Sequence, residues 1–348
     1  SASCSSVSRP QVRVPSVTDD KASPLVPSRR ISMLASLAGR LSSLPARCQH
    51  GCWAWRRYRL QLAFMDWLEA LIMGLVQGLT EFLPISSSAH LRFVGELIGA
   101  GDPGAGFTAI TQIGTETAVL IYFRKEIWLI LRQWWFSLPF QGSAVRVSPK
   151  DPHARLGWMI IVGTLPIGIL GLFLEGWIDT NFRNLWVTVV MLAGFGLLLG
   201  WADRVGRRVN TLDTMTWGQA VGYGFAQALA LIPGVSRSGG TITAGRLMGF
   251  TRESAARYSF LLALPAVYAS GFYKLFKAVG DESAVGAAPT LIATLVAFVV
   301  GYIVIVWFLK WISTGSFQPF VIYRLGFAAL IAIPLLTGFL AASPSLVV

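Results

Sequence analysis

The stretch that decides the fold is QGLTEFLPISSSAH at residues 77–90, and residues 227–240 repeat its design as QALALIPGVSRSGG. In each stretch, an apolar helix that carries a glutamine meets a proline, which ends helices, and a serine-rich turn leads into a second helix-compatible segment. Two interrupted apolar segments in corresponding halves of a chain are typical of membrane proteins whose binding site is built from an internal repeat. A later Leu-Pro pair in each half, at Leu165-Pro166 and Leu264-Pro265, favours this repeat over a chance similarity.

The composition indicates an integral membrane protein. Apolar residues make up 54% of the chain and charged residues only 13%, with a mean hydropathy of +0.59, whereas soluble domains carry roughly 25% charged residues. A bilayer crossing needs roughly 20 apolar residues. Runs of about this length predict six transmembrane helices, at 104–123, 157–177, 185–202, 257–273, 288–309 and 321–341.

Two further apolar stretches, 66–86 and 215–232, end in Pro- and Ser-rich sequence instead of a charged flank. Such stretches can enter the membrane without crossing it in one piece, provided that protein buries their broken backbone. We therefore predict an all-α integral membrane protein with about six transmembrane helices and two re-entrant helical hairpins in an inverted internal repeat.

The net charge of +12 does not indicate a nucleic-acid-binding protein, because most of it lies outside the apolar body. Residues 1–64 hold ten Lys and Arg against two acidic residues. Within the body, the basic residues cluster in short connections, which is typical of cytoplasmic loops. These residues are Arg146, Lys150, Arg155, Arg204, Arg207 and Arg208.

Residues 1–64 are rich in Ser, Arg and Pro and lack a sustained apolar run, so we predict a basic, disordered extension. It is either an upstream extension that precedes a functional start at Met65 or a membrane-anchoring tail. The polytopic domain is predicted over 65–348. The three cysteines, Cys4, Cys48 and Cys52, all precede this domain, which excludes disulfides and cysteine metal sites from it.

Gln77 and Glu81 are the first candidate site residues, because four-residue spacing places both on one face of a helix. A carboxylate in so apolar a setting is costly unless it faces a polar cavity, a partner or a metal ion. After Pro84, one of the serines Ser86, Ser87 and Ser88 can cap the next helix.

The second stretch offers the same arrangement together with an arginine. Ser236 or Ser238 can cap a helix that starts near Gly239, and the backbone N–H groups at a helix start bind phosphate. Arg237 lies between these serines, and its planar guanidinium suits a two-bond contact to a phosphate group. Two such helix starts that face each other would hold a diphosphate between them.

His90 is the only histidine near either stretch, so we expect it to act as a general acid or base or as the nucleophile. Ser87 is an alternative nucleophile if His90 accepts its proton. The spacing does not decide between these roles.

Gln112 and Glu116 repeat the four-residue spacing. Glu116 either lines the same cavity or pairs with Arg124 or Lys125 near the membrane edge. Near the C-terminus, the pattern of aromatic residues with one arginine predicts an interfacial belt, formed by Phe317, Phe320, Tyr323 and Arg324.

With these residues in place, the body from Met65 onward resembles the undecaprenyl-diphosphatase family of bacterial membrane enzymes, which recycle the lipid carrier of cell-wall synthesis. The first family motif is matched by Gln77, Glu81, Pro84, Ser86, Ser87 and His90, and the second by residues 233–239. Two positions depart from the family pattern. Gln77 is neutral where many members have Glu, which puts a two-carboxylate metal site in doubt, and Ala89 stands where Gly is usual.

The resemblance implies hydrolysis of undecaprenyl diphosphate to undecaprenyl phosphate and inorganic phosphate in the bacterial inner membrane, and links the chain to bacitracin resistance. The implied site opens to the periplasm. We expect Glu81, Ser87, His90 and Arg237 to be catalytic, with Mg²⁺ or Ca²⁺ held by Glu81. The diphosphate is expected to contact Gln77, Ser86, Ser88, Ser236, Ser238 and Gly239.

The expected partners are the lipid diphosphate, membrane lipid and, as an open alternative, a second copy of the chain in a homodimer. A transporter or lipid flippase with an anion site at its broken helices is the rival function. A non-catalytic membrane assembly subunit is the third. The cluster of three serines and a histidine favours the enzyme, because a carrier needs neither a nucleophile nor a proton acceptor.

Overall fold

The computed structural model describes residues 67–142, 146–182, 184–278 and 286–338, so the predicted extension over 1–64 lies outside the described residues. The described chain is helical, apart from turns and one isolated bridge between Asn210 and Phe250. Its α-helices in chain order are α1 (Trp67–Thr80), α2 (Ser87–Ile98), α3 (Gly104–Tyr122), α4 (Arg124–Phe136), α5 (Pro152–Asn181), α6 (Leu185–Val205), α7 (Trp217–Ala228), α8 (Arg237–Leu247), α9 (Arg252–Ala278), α10 (Ala287–Ile312) and α11 (Gln318–Leu336).

Polar residues just before the helices fix several of the starts. The Asp151 side chain accepts hydrogen bonds from the backbone N–H groups of His153 and Ala154, and Pro152 occupies the first turn of α5, where a missing N–H costs nothing. Thr216 and Gln219 form a reciprocal capping box at the start of α7. These helix starts are therefore encoded locally.

Five helices in the described ranges are long and apolar enough to cross a membrane, namely α6, α9, α10, α11 and residues Pro152–Leu174 of α5. The prediction of a multi-pass helical membrane protein is therefore confirmed, whereas the number six is not. The one predicted segment that is not among these five, 104–123, does form a helix, α3. Its glycines, threonines and the polar pair Gln112 and Glu116 lower its hydropathy.

The helices pack in two corresponding sets. α1 and α3 pack against α10, while α7 and α9 pack against α5; α3 also contacts α9, and α6 contacts α11. Glycine permits close approach in both sets. A Cβ on Gly74 would lie 2.5 Å from the carbonyl oxygen of Ala293 in α10, and one on Gly224 would lie 2.6 Å from that of Gly163 in α5.

A buried ion cluster joins four elements at one end of the bundle. Asp203 in α6 accepts hydrogen bonds from Arg246 in α8 at 3.1 Å and from two nitrogens of Arg252 in α9 at 2.7 Å each. The backbone N–H of Phe317, next to α11, is its fourth donor. Arg246 also donates to the carbonyl oxygen of Phe250. One acidic side chain therefore holds the ends of α6, α8, α9 and the start of α11 together.

We expect Asp203→Ala to destabilise the protein by about 3–5 kcal/mol, because it leaves the buried guanidinium of Arg246 and the partly buried one of Arg252 without their carboxylate. Thermal unfolding of the purified chain in detergent measures this loss. Asp213→Ala is the matched control, since Asp213 is exposed. Equal unfolding temperatures for the two variants would contradict the role of this cluster.

Candidate active site

The two helix breaks have the same backbone geometry. α1 ends at Thr80 and α2 begins at Ser87, while α8 begins at Arg237 after the break that follows α7. The residues just before these second helices, Ser86 and Ser236, have φ angles of 73° and 71°. Residues other than glycine rarely adopt positive φ, and such strain persists only where the surrounding structure enforces it. Both breaks therefore hold a strained residue at the same position, directly before the second helix.

Arg324 is the group that enforces this geometry. The arginine is fully buried on α11 and donates to the carbonyl oxygens of Pro84 at 3.0 Å, Gly234 at 2.8 Å and Val235 at 3.1 Å. Further donations reach the carbonyl oxygens of Met191 and Leu192 in α6. Broken helices leave carbonyl groups without partners, which is costly in an apolar interior. One guanidinium with five N–H donors therefore stabilises both breaks at once.

The predicted interfacial belt near the C-terminus is therefore wrong for three of its four residues. Phe317 and Arg324 are fully buried, and Phe320 is buried as well. Only Tyr323 is exposed. The pattern of aromatic residues beside an arginine is typical of an interface, but here the carbonyl groups of the breaks attract the arginine inward.

Glu81 lies at the centre of the site and accepts hydrogen bonds from four side chains. Gln77 donates to it at 2.8 Å, Ser87 at 2.6 Å, Arg237 at 2.6 Å and Gln112 at 3.2 Å. The predicted shared face of Gln77 and Glu81 is thus observed. Because four donors converge on it, the carboxylate is held in one orientation.

Arg237 bridges the two acids of the site. Its Nη2 atom lies 2.6 Å from a Glu81 oxygen and 2.5 Å from a Glu116 oxygen, and all three side chains are largely or fully buried. Of the two alternatives for Glu116, the structure therefore favours the one that places it in the site, since Glu116 pairs with Arg237 while Arg124 donates to the carbonyl oxygen of Ile121. By formal charge, two carboxylates and one guanidinium differ by one.

His90 lies in the first turn of α2, as expected, but its ring does not contact Ser87. Its Nδ1 atom donates to the carbonyl oxygen of Ser86 at 2.7 Å, which leaves Nε2 to accept from the Tyr323 hydroxyl at 2.8 Å. The ring also stacks on Phe327, with 3.9 Å between ring centroids. Ser87 donates to Glu81, so the structure pairs this hydroxyl with a carboxylate and not with the histidine.

The remaining predicted residues hold the two breaks in place. Ser236 caps α8 by accepting from the N–H of Gly239 at 3.1 Å. Ser238 donates to the carbonyl oxygen of Leu83, which ties the start of α8 to the first break. In the first break, the hydroxyls of Ser86 and Ser88 share a hydrogen bond of 3.2 Å. Of these serines, only Ser88 is exposed.

The donor set fits a divalent cation. In the described ranges, no group of three or more His, Cys, Asp or Glu residues is arranged to hold a metal ion. However, one oxygen of Gln77 and one of Glu116 are buried without a hydrogen-bond partner, and they lie on residues that contact Glu81 and Arg237 respectively. Carboxylate and amide oxygens are the ligands that Mg²⁺ and Ca²⁺ prefer.

Sequence reasoning missed two members of this site, Tyr323 and the buried Arg324. Both lie on α11, more than 200 residues from the break that they support. A sequence signal did exist, since an arginine within an apolar run is costly and points to a buried partner. The position of that partner could not be read from local spacing.

Comparison with known proteins identifies a matching family and similar bacterial proteins. A family model described as bacitracin resistance protein BacA matches residues 70–330, a span that includes both breaks and Arg324. An undecaprenyl-diphosphatase of Micrococcus luteus is 59% identical over 265 residues, which cover 75% of this chain and 94% of that protein. Undecaprenyl-diphosphatase 2 of Agrobacterium fabrum is 55% identical over 279 residues, which cover 80% and 99%. Both relatives bear the name of a phosphatase and not of a carrier.

We expect Arg324→Ala to lower the free energy of unfolding by roughly 3 kcal/mol or more, since several buried carbonyl groups lose their donor. Arg324→Lys should recover little of this loss, because a single ammonium group cannot reach both breaks. Thermal unfolding in detergent measures both variants. Arg132→Ala, at an exposed arginine of α4, is the control, and wild-type stability of Arg324→Ala would refute the role given to this side chain.

Proposed function

The chain belongs to the bacitracin resistance protein BacA family, and from that membership we propose that it hydrolyses undecaprenyl diphosphate to undecaprenyl phosphate and inorganic phosphate. One observation carries the proposal. Ser87 and Arg237, the first residues of two short helices, both donate to the same carboxylate, that of Glu81. The two motifs that predict the family thus meet at one point.

Arg237 and the two helix starts would bind the diphosphate. The guanidinium now contacts two carboxylates, and a phosphate group that entered the site would compete for the same N–H donors. The first N–H groups of α2 and α8 supply further donors and the positive ends of two helix dipoles. Neutralising charge on the transferring phosphoryl group is the main task in phosphoryl transfer.

Ser87 is the nucleophile that the contacts favour, with Glu81 as its base. The hydroxyl proton already points at Glu81, at an O–O distance of 2.6 Å. As Glu81 accepts this proton, the Ser87 oxygen would bond to the terminal phosphorus. The bond to the bridging oxygen would break, and its electrons would leave with undecaprenyl phosphate. The proton on Glu81 would pass to this departing phosphate, so that Glu81 can accept another one. Water would then attack the phosphoserine and pass its proton to Glu81, which returns a proton to Ser87 as inorganic phosphate leaves.

His90 supports this arrangement in the proposal instead of accepting the proton. Both ring nitrogens are engaged, by the Ser86 carbonyl and the Tyr323 hydroxyl. The ring thereby holds the strained residue that precedes Ser87. Water and His90 are therefore less well supported as nucleophiles than Ser87.

A divalent cation, Mg²⁺ or Ca²⁺, would be held by oxygens of Glu81, Glu116 and Gln77. When bound, it would neutralise phosphate charge and so assist attack at phosphorus. The two carboxylates exceed the charge of Arg237 by one, which is the imbalance that a cation offsets. Gln77 contributes no charge, so we expect the cation to take some of its ligands from this site and the others from the substrate.

The proposed architecture is an inverted repeat with two re-entrant hairpins, α1–α2 and α7–α8. These helices have 14, 12, 12 and 11 residues, too few to span a bilayer that needs roughly 20. Three observations support the repeat. Glycines allow close packing at corresponding positions, both breaks have a positive φ angle, and α1 packs against α10 as α7 packs against α5. α3, with 19 residues, would be the sixth crossing, its polar residues turned toward the site.

The site would open to the periplasmic side of the inner membrane. Arg155 donates to the carbonyl oxygen of Met215, which holds two basic connections together at the end of the bundle where the Asp203 cluster lies. Basic connections favour the cytoplasm. Arg237 lies at the far end of α8 from Arg246, a separation of about 14 Å at 1.5 Å per residue. The chemistry is therefore removed from the cytoplasmic end.

We expect Glu81→Gln, Ser87→Ala and Arg237→Ala each to lower phosphate release by at least about a hundredfold, because each removes a group that acts on the transferring phosphoryl group. His90→Gln should retain measurable turnover. Phosphate release from undecaprenyl diphosphate by purified protein gives the rates, and membrane insertion should be unchanged. Ser313→Ala, at an exposed serine just after α10 and outside the two motifs, serves as the control. Wild-type turnover of Ser87→Ala would exclude this residue as the nucleophile.

We expect phosphate release by the purified wild-type chain to stop after chelation and to return when Mg²⁺ or Ca²⁺ is added. The assay uses farnesyl or undecaprenyl diphosphate in detergent, with the metal varied. A carrier or an assembly subunit would release no phosphate under any of these conditions, and that result would overturn the proposed function. Full activity after chelation would overturn the cation alone.

A further inference from the structure

Three aromatic residues of α9 lie in a file on one helix face. Tyr268, Phe272 and Phe276 follow one another at four-residue spacing, which places them one above the other. The rings of Tyr268 and Phe272 stack, with centroids 5.8 Å apart and planes inclined by 14°. We refer to these three residues as the aromatic file.

The inner end of the aromatic file contacts α3 at the residue next to Glu116. The Tyr268 hydroxyl shares a hydrogen bond of 3.0 Å with the Thr117 hydroxyl. Thr117 directly follows Glu116, which Arg237 contacts. Tyr268 is also packed against the main core cluster, so its position is fixed.

The outer end of the aromatic file is open. Phe272 is 44% exposed and Phe276, one turn further, is 77% exposed. α9 begins at the Asp203 cluster, so the file runs away from the basic end. Between α3 and α9 there is no room for a ligand beside the file, because a Cβ on Gly271 would lie 2.6 Å from a side-chain carbon of Ile113. A ligand that follows the file must therefore lie on its outer face.

We propose that the aromatic file binds the isoprenoid chain of the lipid diphosphate and makes the enzyme selective for long prenyl substrates. The inference rests on the proposed function and adds a subsite to it. A substrate whose diphosphate lies against Arg237 must lead its apolar chain out of a polar site and into lipid. The aromatic file is continuous with that site and turns apolar ring faces outward, which suits the methyl-branched units of a prenyl chain.

The test compares chain lengths in Phe272→Ala and Phe276→Ala. Both residues are exposed, so the variants should fold. With farnesyl diphosphate, which has three isoprene units, KM should rise about three- to tenfold in Phe272→Ala because apolar contact area is lost. The kcat at saturation should stay at the wild-type value. With dimethylallyl diphosphate, which has one unit, neither constant should change in Phe276→Ala.

Two matched controls separate the aromatic file from other lipid-facing aromatic side chains. Tyr273 lies on α9, 49% exposed and next to Phe272, but on another face, and Phe173 of α5 is 83% exposed. Tyr273→Ala and Phe173→Ala should leave the farnesyl KM unchanged. A wild-type farnesyl KM in both file variants, or an equal rise in the two controls, overturns this inference while the proposed function stands. If the wild type itself releases no phosphate, the proposed function and this inference both fail.

Discussion

Five backbone carbonyl groups around one buried guanidinium hold this protein together at its centre. An interrupted helix inside a membrane leaves polar backbone groups without partners, and lipid offers them none. Arg324 supplies donors to both breaks and to α6 from a single position on α11. Because these contacts fix Pro84 and Gly234 relative to one another, they also set the distance between the helix starts that follow. The chemistry at Glu81 thus depends on a residue that makes no contact with it.

The site combines charge compensation with restraint of a nucleophile. Glu81 and Glu116 share Arg237, while two glutamines and a serine supply neutral donors to Glu81. A buried carboxylate is tolerated at this depth only because its partners converge on it. The same convergence aims the Ser87 proton at Glu81, so the geometry that stabilises the protein is also the one that the proposed reaction would use.

Local sequence patterns predicted the parts of the site, whereas their assembly depended on long-range contacts. The spacing of Gln77 and Glu81, the end of the helix before Pro84 and the cap at Ser236 follow from rules that act over a few residues. The choice of Glu116 as a partner of Arg237 and the inward position of Arg324 do not. Both depend on which helices pack together, and an arginine beside aromatic residues looks the same at an interface and in a core until its carbonyl partners are known.

The eleven-residue length of α8 has a consequence for access to the substrate. At 1.5 Å per residue this helix is about 16 Å long. In the proposed orientation, with the Asp203 cluster at the membrane edge, it would set the reacting phosphate roughly half-way into a hydrocarbon layer about 30 Å thick. The lipid would then have to sink below the plane of its neighbours to react, and its headgroup would shed bulk water. A bulky molecule that bound the diphosphate at the membrane surface would block this descent and so compete with the enzyme for the lipid.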